Sequence, residues 1–155
     1  IRMYKRGSEE ATAHSKAVLA VERILPELQE AYNVDFPGPD RLIFTLPQRG
    51  VDGHYEIDAA TRSPISGTQV AVYTSDHTGA METPGRYIWH AQRPSPVAEW
   101  QDHRVIMDDV EDLSFAYAPS TDRLEVVEVS ITIGKPAEPG YFNRTEVAEI
   151  AIRNH

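Results

Sequence analysis

One long run of helical periodicity stands at the start of this chain and none follows it, an arrangement that limits the accessible folds more than any other feature. Across residues 8–33, Val18, Val21, Leu25, Leu28 and Tyr32 recur at i, i+3, i+7, i+10 and i+14, which places them on one helical face. At ~1.5 Å per residue, about 26 residues span roughly 39 Å, well beyond an average helix. Ser8 ahead of Glu9 and Glu10 offers a helix start, with continuation upstream through Tyr4 as the alternative. Pro26 has no amide and crowds the preceding turn, so a kink or short break is expected near Ile24 and Leu25. Residues 34–40, VDFPGPD, hold two prolines and a glycine and are read as a break.

Strand-like runs then follow one another over residues 41–46, 54–58, 69–74, 86–91, 104–107, 113–117, 124–133 and 146–152. They are rich in Val, Ile, Tyr and Phe and are separated by turn dipeptides such as Asp52-Gly53, Ser66-Gly67, Thr78-Gly79 and Pro84-Gly85. Parallel strands would need crossover helices that the sequence does not supply. The expected fold class is therefore α+β, a long N-terminal helix packed on an antiparallel β-sheet. One domain is expected over 1–155, with helix in 1–33 and a β-rich region in 34–155. In residues 124–133 the odd positions Val127, Val129, Ile131 and Ile133 set the apolar side, and a phase slip at Val126 and Val127 predicts a bulge.

Composition narrows function. The chain has 155 residues, a formal net charge of −9 and no cysteine. Thiol catalysis and Cys-based metal sites are excluded, and an acidic balance has the wrong sign for tracking nucleic-acid phosphates, so no nucleic-acid partner is expected. The first fifty residues carry seven charges of each sign, so the net charge belongs to the later, β-rich part. No run approaches the ~20 apolar residues of a membrane helix.

The candidate chemistry is sparse. His54 and Glu56 share one face of an expected strand, but zinc needs three or four ligands and no H-E-x-x-H is present, so no metal site is expected. Asp108, Asp109, Glu111 and Asp112 lack the glycine-bearing loop of an EF-hand and read as a solvated face beside Val110 and Leu113. Asp76, His77, Thr78 and Gly79 have ordinary turn composition, and neither Ser66 nor Ser75 lies in G-x-S-x-G. No phosphate-cradling glycine motif occurs, and Trp89 and Trp100 read as packing residues. On this chemistry neither an enzymatic activity nor a cofactor is expected. The rival, a hydrolase built on His54, Glu56 or His77, requires these groups to converge in a deep pocket.

Three segments together resemble type IV pilin-like proteins, particularly minor pilins and the minor pseudopilins of type II secretion. The helix ending in LPELQEAYN is similar to the soluble half of a pilin spine. LIFTLPQ followed by GHYEIDAATRSPISGTQVAVYTSDHTGAMETPGRYIWHA resembles the strand, turn and aromatic strand layout of prepilin-type proteins. VIMDDVEDLSFAYAPSTDRLEVVEVSITIG and the closing EVAEIAIRN resemble the paired strands and terminal strand of the J-class group. The family's start is not in this sequence: a cleavage glycine, a methylated aromatic, a glutamate five residues in, and about twenty apolar residues.

What the resemblance implies is a non-catalytic subunit of a pilus or secretion pseudopilus, with Ile1 lying inside a longer helix whose upstream half spans the inner membrane. The head would face the periplasm before assembly and belong to a periplasmic or extracellular filament afterwards. Its partners would be other pilin or pseudopilin subunits and, through the missing helix, the inner membrane. Val18, Val21, Leu25, Leu28 and Tyr32 are expected to pack on the sheet, leaving Lys16, Glu22, Arg23, Glu27 and Glu30 for neighbouring subunits. A second reading is an adhesin-like module binding a ligand through the loops at 76–86 and 93–100.

Overall fold

In the computed structural model, which describes residues 2–120, 124–136 and 141–152, a helix α1 runs from Arg2 to Gln29. It passes through Pro26 without the expected break. Pro26 has no amide to give the carbonyl one turn back, but its side chain faces solvent and the helix needs only one more turn beyond it. That turn tightens: the Glu30 amide bonds the carbonyls of Pro26 and Glu27 at 3.3 and 3.1 Å, and the Ala31 amide bonds that of Leu28 at 3.2 Å.

The stripe that α1 buries is turned slightly from the expected one. Ala17, Ala20, Val21, Ile24, Leu28 and Ala31 are buried in the main core. Val21 and Leu28 belong to the expected face, Leu25 is partly buried against the core, and Val18 and Tyr32 lie half-buried at its margin. Alanines hold the two ends of the stripe, Ala17 and Ala20 at one and Ala31, just past the end of α1, at the other, and their small side chains let the chain come close to the strands beneath.

The strands form two antiparallel sheets rather than one. The first has the order β1 (Asn33–Pro37), β2 (Arg41–Pro47), β3 (Ser66–Ser75), β4 (Tyr87–Arg93) and β5 (Gln101–Met107). The second has β6 (Val110–Pro119), β7 (Leu124–Pro136) and β8 (Tyr141–Ala151). β1 occupies the segment read as a break. The Gly38 amide bonds the Arg41 carbonyl at 3.0 Å, so the nitrogen of neighbouring Pro37 points to the free edge, where no ladder bond is lost. Residues 54–58, expected as a strand, lie in the β2–β3 loop and make only the isolated bridges Arg49↔Tyr55 and Ile57↔Pro64.

One hydrophobic cluster joins all three layers. Leu42, Phe44, Val70, Val72, Ile88 and Met107 come from the first sheet, while Val110, Leu113, Phe115, Val127, Val129, Ile131, Ile133 and Ile150 come from the second. Val127, Val129, Ile131 and Ile133 of β7 are all buried, as alternation predicts. The register slip falls opposite Ala118 and Pro119, between Leu124 and Val126, one or two residues before the expected bulge. β6 is pinned to the first sheet: Phe115 N–H donates to Pro39 O at 2.8 Å, Val110 N–H to Arg86 O at 3.0 Å and Tyr117 O–H to Gly38 O at 2.7 Å. The helix touches β5 on one side and β7 and β8 on the other, closing the side of the molecule that the two sheets leave open.

Replacing Ile24 or Leu28 by Ala is expected to cost about 2–5 kcal/mol by cavity creation, whereas Val18→Ala at the margin costs under about 1 kcal/mol. Urea unfolding of the three variants measures the difference.

Candidate functional site at the helix–sheet seam

Four of the five side chains expected to face neighbouring subunits make contacts within the chain. Lys16, Arg23, Glu27 and Glu30, spaced by seven, four and three residues, line one flank of the helix. Lys16 Nζ lies 2.8 Å from Asp108 and 3.6 Å from Asp109, at the turn joining the two sheets. Arg23 donates to the Ile106 carbonyl at 3.5 Å, and Glu30 pairs with Arg49 at 3.0 Å. Glu22 is the remaining member of the expected set and is exposed.

Glu27 makes the most buried contact of the seam. Its Oε1 is 2.8 Å from Nε2 of His90, whose side chain is 4% exposed, and 3.9 Å from Nη2 of the largely exposed Arg104. Pairing with a carboxylate places a proton on Nε2 of His90. Nδ1 of the same ring is buried without a hydrogen-bond partner. Beside this contact opens a cleft of about 520 Å3 lined by Glu22, Arg23, Pro26, His90, Arg104, Val105 and Ile106. It carries both signs of charge along its walls, and its one deeply buried polar side chain already has a protein partner.

The hydrogen bond from Lys16 to Asp108 raises the lysine above its ordinary value; burial works against the shift, and the charges of Asp108 and Asp109 add to it. The pair is about half exposed, so its contribution is of order 0–1 kcal/mol. That contribution is present below the ordinary lysine range and is lost as pH rises through the raised value.

The other candidates are dispersed. His54 and His77 are exposed on different loops, and Glu56 accepts from Gln48 Nε2 at 2.7 Å, so the three do not converge. Among the described residues no group of three or more His, Asp or Glu side chains is arranged to hold a metal. Ser66 is exposed, whereas Ser75 is buried and donates to the Ala80 carbonyl. Of the acidic run, Asp108 and Asp109 serve Lys16, while Glu111 and Asp112 face solvent.

Residues 76–79 form a turn folded back over the outer face of the first sheet. Asp76 accepts from both the amide and the hydroxyl of Thr78, and Gly79 has φ +79°. A side chain at Gly79 would meet the Trp89 ring at 3.2 Å. Trp89 Nε1–H donates to Asp76 O at 2.8 Å, and buried Tyr73 O–H donates to Gly79 O at 2.6 Å. Trp100 lies under the Arg93 guanidinium, 4.1 Å from the ring centroid, and Arg93 Nε donates to Gln69 at 2.7 Å. Both tryptophans are half-buried packing residues with engaged polar neighbours, not a free platform.

No family model, curated protein or solved structure matches this chain. What is established is the fold class, an N-terminal helix packed on antiparallel sheets. The His90–Glu27 contact, 63 residues apart in sequence, was not foreseen. Its trace was local: His90 shares the inward-facing parity of Ile88 on β4.

Glu27→Ala is expected to cost about 1–3 kcal/mol by leaving His90 unpaired, with Glu27→Gln recovering most of the loss; urea unfolding distinguishes them. A second expectation concerns acid. The Thr78 hydroxyl and amide hold Asp76 below its ordinary value, so the turn is intact above the ordinary carboxylate range and loosens as pH falls through the lowered folded value. Trp89 emission should therefore change below about pH 4 in the parent and not in Asp76→Asn.

Proposed function

We propose that this chain is the head of a minor pilin or type II secretion minor pseudopilin, a structural subunit that works by shape and surface rather than by chemistry. The observation that carries this reading is the seating of α1: the C-terminal half of a 28-residue helix is buried lengthwise by both sheets and fastened along one flank by polar contacts. A helix held this way can transmit pull or position from its N-terminal end to the whole head, as a filament spine must. The dispersal of His54, Glu56, His77, Ser66 and Ser75 supports a structural role over the hydrolase. The engaged surroundings of Trp89 and Trp100 weigh against the adhesin-like module.

On this reading the partners are other pilin or pseudopilin subunits, and the inner membrane before assembly. Lys16, Arg23, Glu27 and Glu30 already make contacts within the subunit, which favours other surfaces for contacts to neighbours.

The test is the coding sequence upstream of Ile1 together with the processed protein. The expected result is a short basic leader, a small-residue cleavage site and about twenty apolar residues continuing into α1, with mass spectrometry showing a cleaved, N-methylated aromatic residue. A start methionine close to Ile1, with no apolar segment between, would overturn the reading.

A further inference from the structure

Two antiparallel sheets have four edges, and three of these are managed in ways that prevent another strand from adding. The β6 edge is pinned to the first sheet through the Phe115 and Val110 amides. β1 is short, carries a bulge between Val34 and Phe36 and ends in Pro37. β5 has two register shifts, a positive φ at Asp102, and its Ile106 carbonyl engaged by Arg23. Bulges, proline and covering groups are the usual means of blocking edge-to-edge pairing.

β8 has none of these. Its 11 residues pair with β7 in unbroken register from Tyr141 to Ala151, with no proline and no bulge. Its hydrogen-bonding parity follows from the bond of the Ile152 amide to the Glu125 carbonyl at 2.9 Å, which continues the same register. Even-numbered residues of β8 therefore direct their amides and carbonyls to β7, and odd-numbered residues direct theirs to the free edge. Among the described residues no backbone group pairs with the outward groups of Thr145, Val147, Glu149 and Ala151. The helix meets the inner face of β8 through Ile150 and Ala148, and the side chains of those four odd residues stay exposed, Val147 at 55%.

We infer that the free edge of β8 pairs antiparallel with the same edge of a second copy of this chain, on a two-fold axis passing through Val147. The edge is self-complementary in that register and poorly so in its neighbours. With the axis at Val147, Val147 faces Val147, Thr145 faces Glu149 as a donor facing an acceptor, and on the inner side Glu146 faces Ala148. Moving the axis to residue 146 sets Glu146 against Glu146, and moving it to residue 148 sets Val147 against Glu149. Opposed β-branched pairs stabilise a ladder and opposed like charges destabilise it, so charge and shape select the first register. Each edge supplies the backbone groups the other lacks, and the two three-stranded sheets become one of six strands. Both copies carry a net charge of −9, so the association strengthens as salt screens their repulsion. The inference does not depend on the pilin reading, and either can fail alone.

The absence of cysteine allows a test at single-residue resolution. Val147→Cys places one thiol on the axis, where it meets only its own copy. Ala116→Cys places one on the same outer face but on β6, away from the edge. In salt high enough to shorten the Debye length to a few ångströms, the expected results are sedimentation of the parent at twice its 17.4 kDa mass and oxidation of Val147→Cys to a covalent dimer at least tenfold faster than Ala116→Cys. Val147→Lys should sediment as a monomer with an unchanged far-ultraviolet circular dichroism spectrum. A parent that stays monomeric over the whole concentration range, or two cysteine variants that cross-link at equal rates, would overturn the inference.

Discussion

The burial of one face of α1 against both sheets is the interaction on which the rest of the molecule rests. Neither sheet is closed: the first turns its inner face, from Leu42 to Met107, toward the second, and the helix stands where the two diverge between β5 and β8. Without Ile24, Leu28 and the alanines that flank them, Ala17, Ala20 and Ala31, Ile150 and the inward residues of β7 would lose part of their cover. The three layers are thus one cooperative unit, and the core is continuous from Ala17 to Ile150.

Around that apolar contact, the polar flank of α1 does a different job. The contacts of Lys16, Arg23 and Glu30 are largely exposed and individually weak. Their value lies in register: together with Glu27 they fix how far the helix slides and how it turns relative to β5. Alanine contacts alone would define this poorly. Glu27 and His90 differ from the others in depth, because a buried imidazole that loses its partner incurs a desolvation penalty that a surface pair never carries. The same flank covers β5, whose bulges already disfavour strand addition.

Much of the architecture was legible because it is written locally. Odd-position alternation in β7 marked the buried side, Asp52-Gly53, Thr78-Gly79 and Pro84-Gly85 marked loops between strands although Ser66-Gly67 opens β3 instead, and the absence of a second helix excluded a parallel sheet. β1 was hidden because Pro37 and Gly38 look like punctuation, although an edge strand can hold a proline whose nitrogen faces outward. The helix face was shifted because the count followed Val18, Leu25 and Tyr32, while Ala17, Ala20, Ile24 and Ala31 join Val21 and Leu28 in the core. The seam was the least legible part. Charges on a helix flank look alike whether they meet water, a neighbouring chain or a strand of their own fold, and the distinction is made by residues 19 to 92 positions away.

The docking of α1 on β8 joins the first element of the chain to the last, and this has a consequence for synthesis. A ribosome releases α1 and the first sheet well before β7 and β8 exist. Until Ile150 emerges, the apolar stripe of the helix and the inner face of β2–β4 lack their final cover. Contacts between such distant parts of a chain slow folding and lengthen the time for which apolar surface stays open to wrong partners. Completion of the head is therefore a late event tied to its final strand, and any factor that shields α1 would act in the interval before that strand arrives.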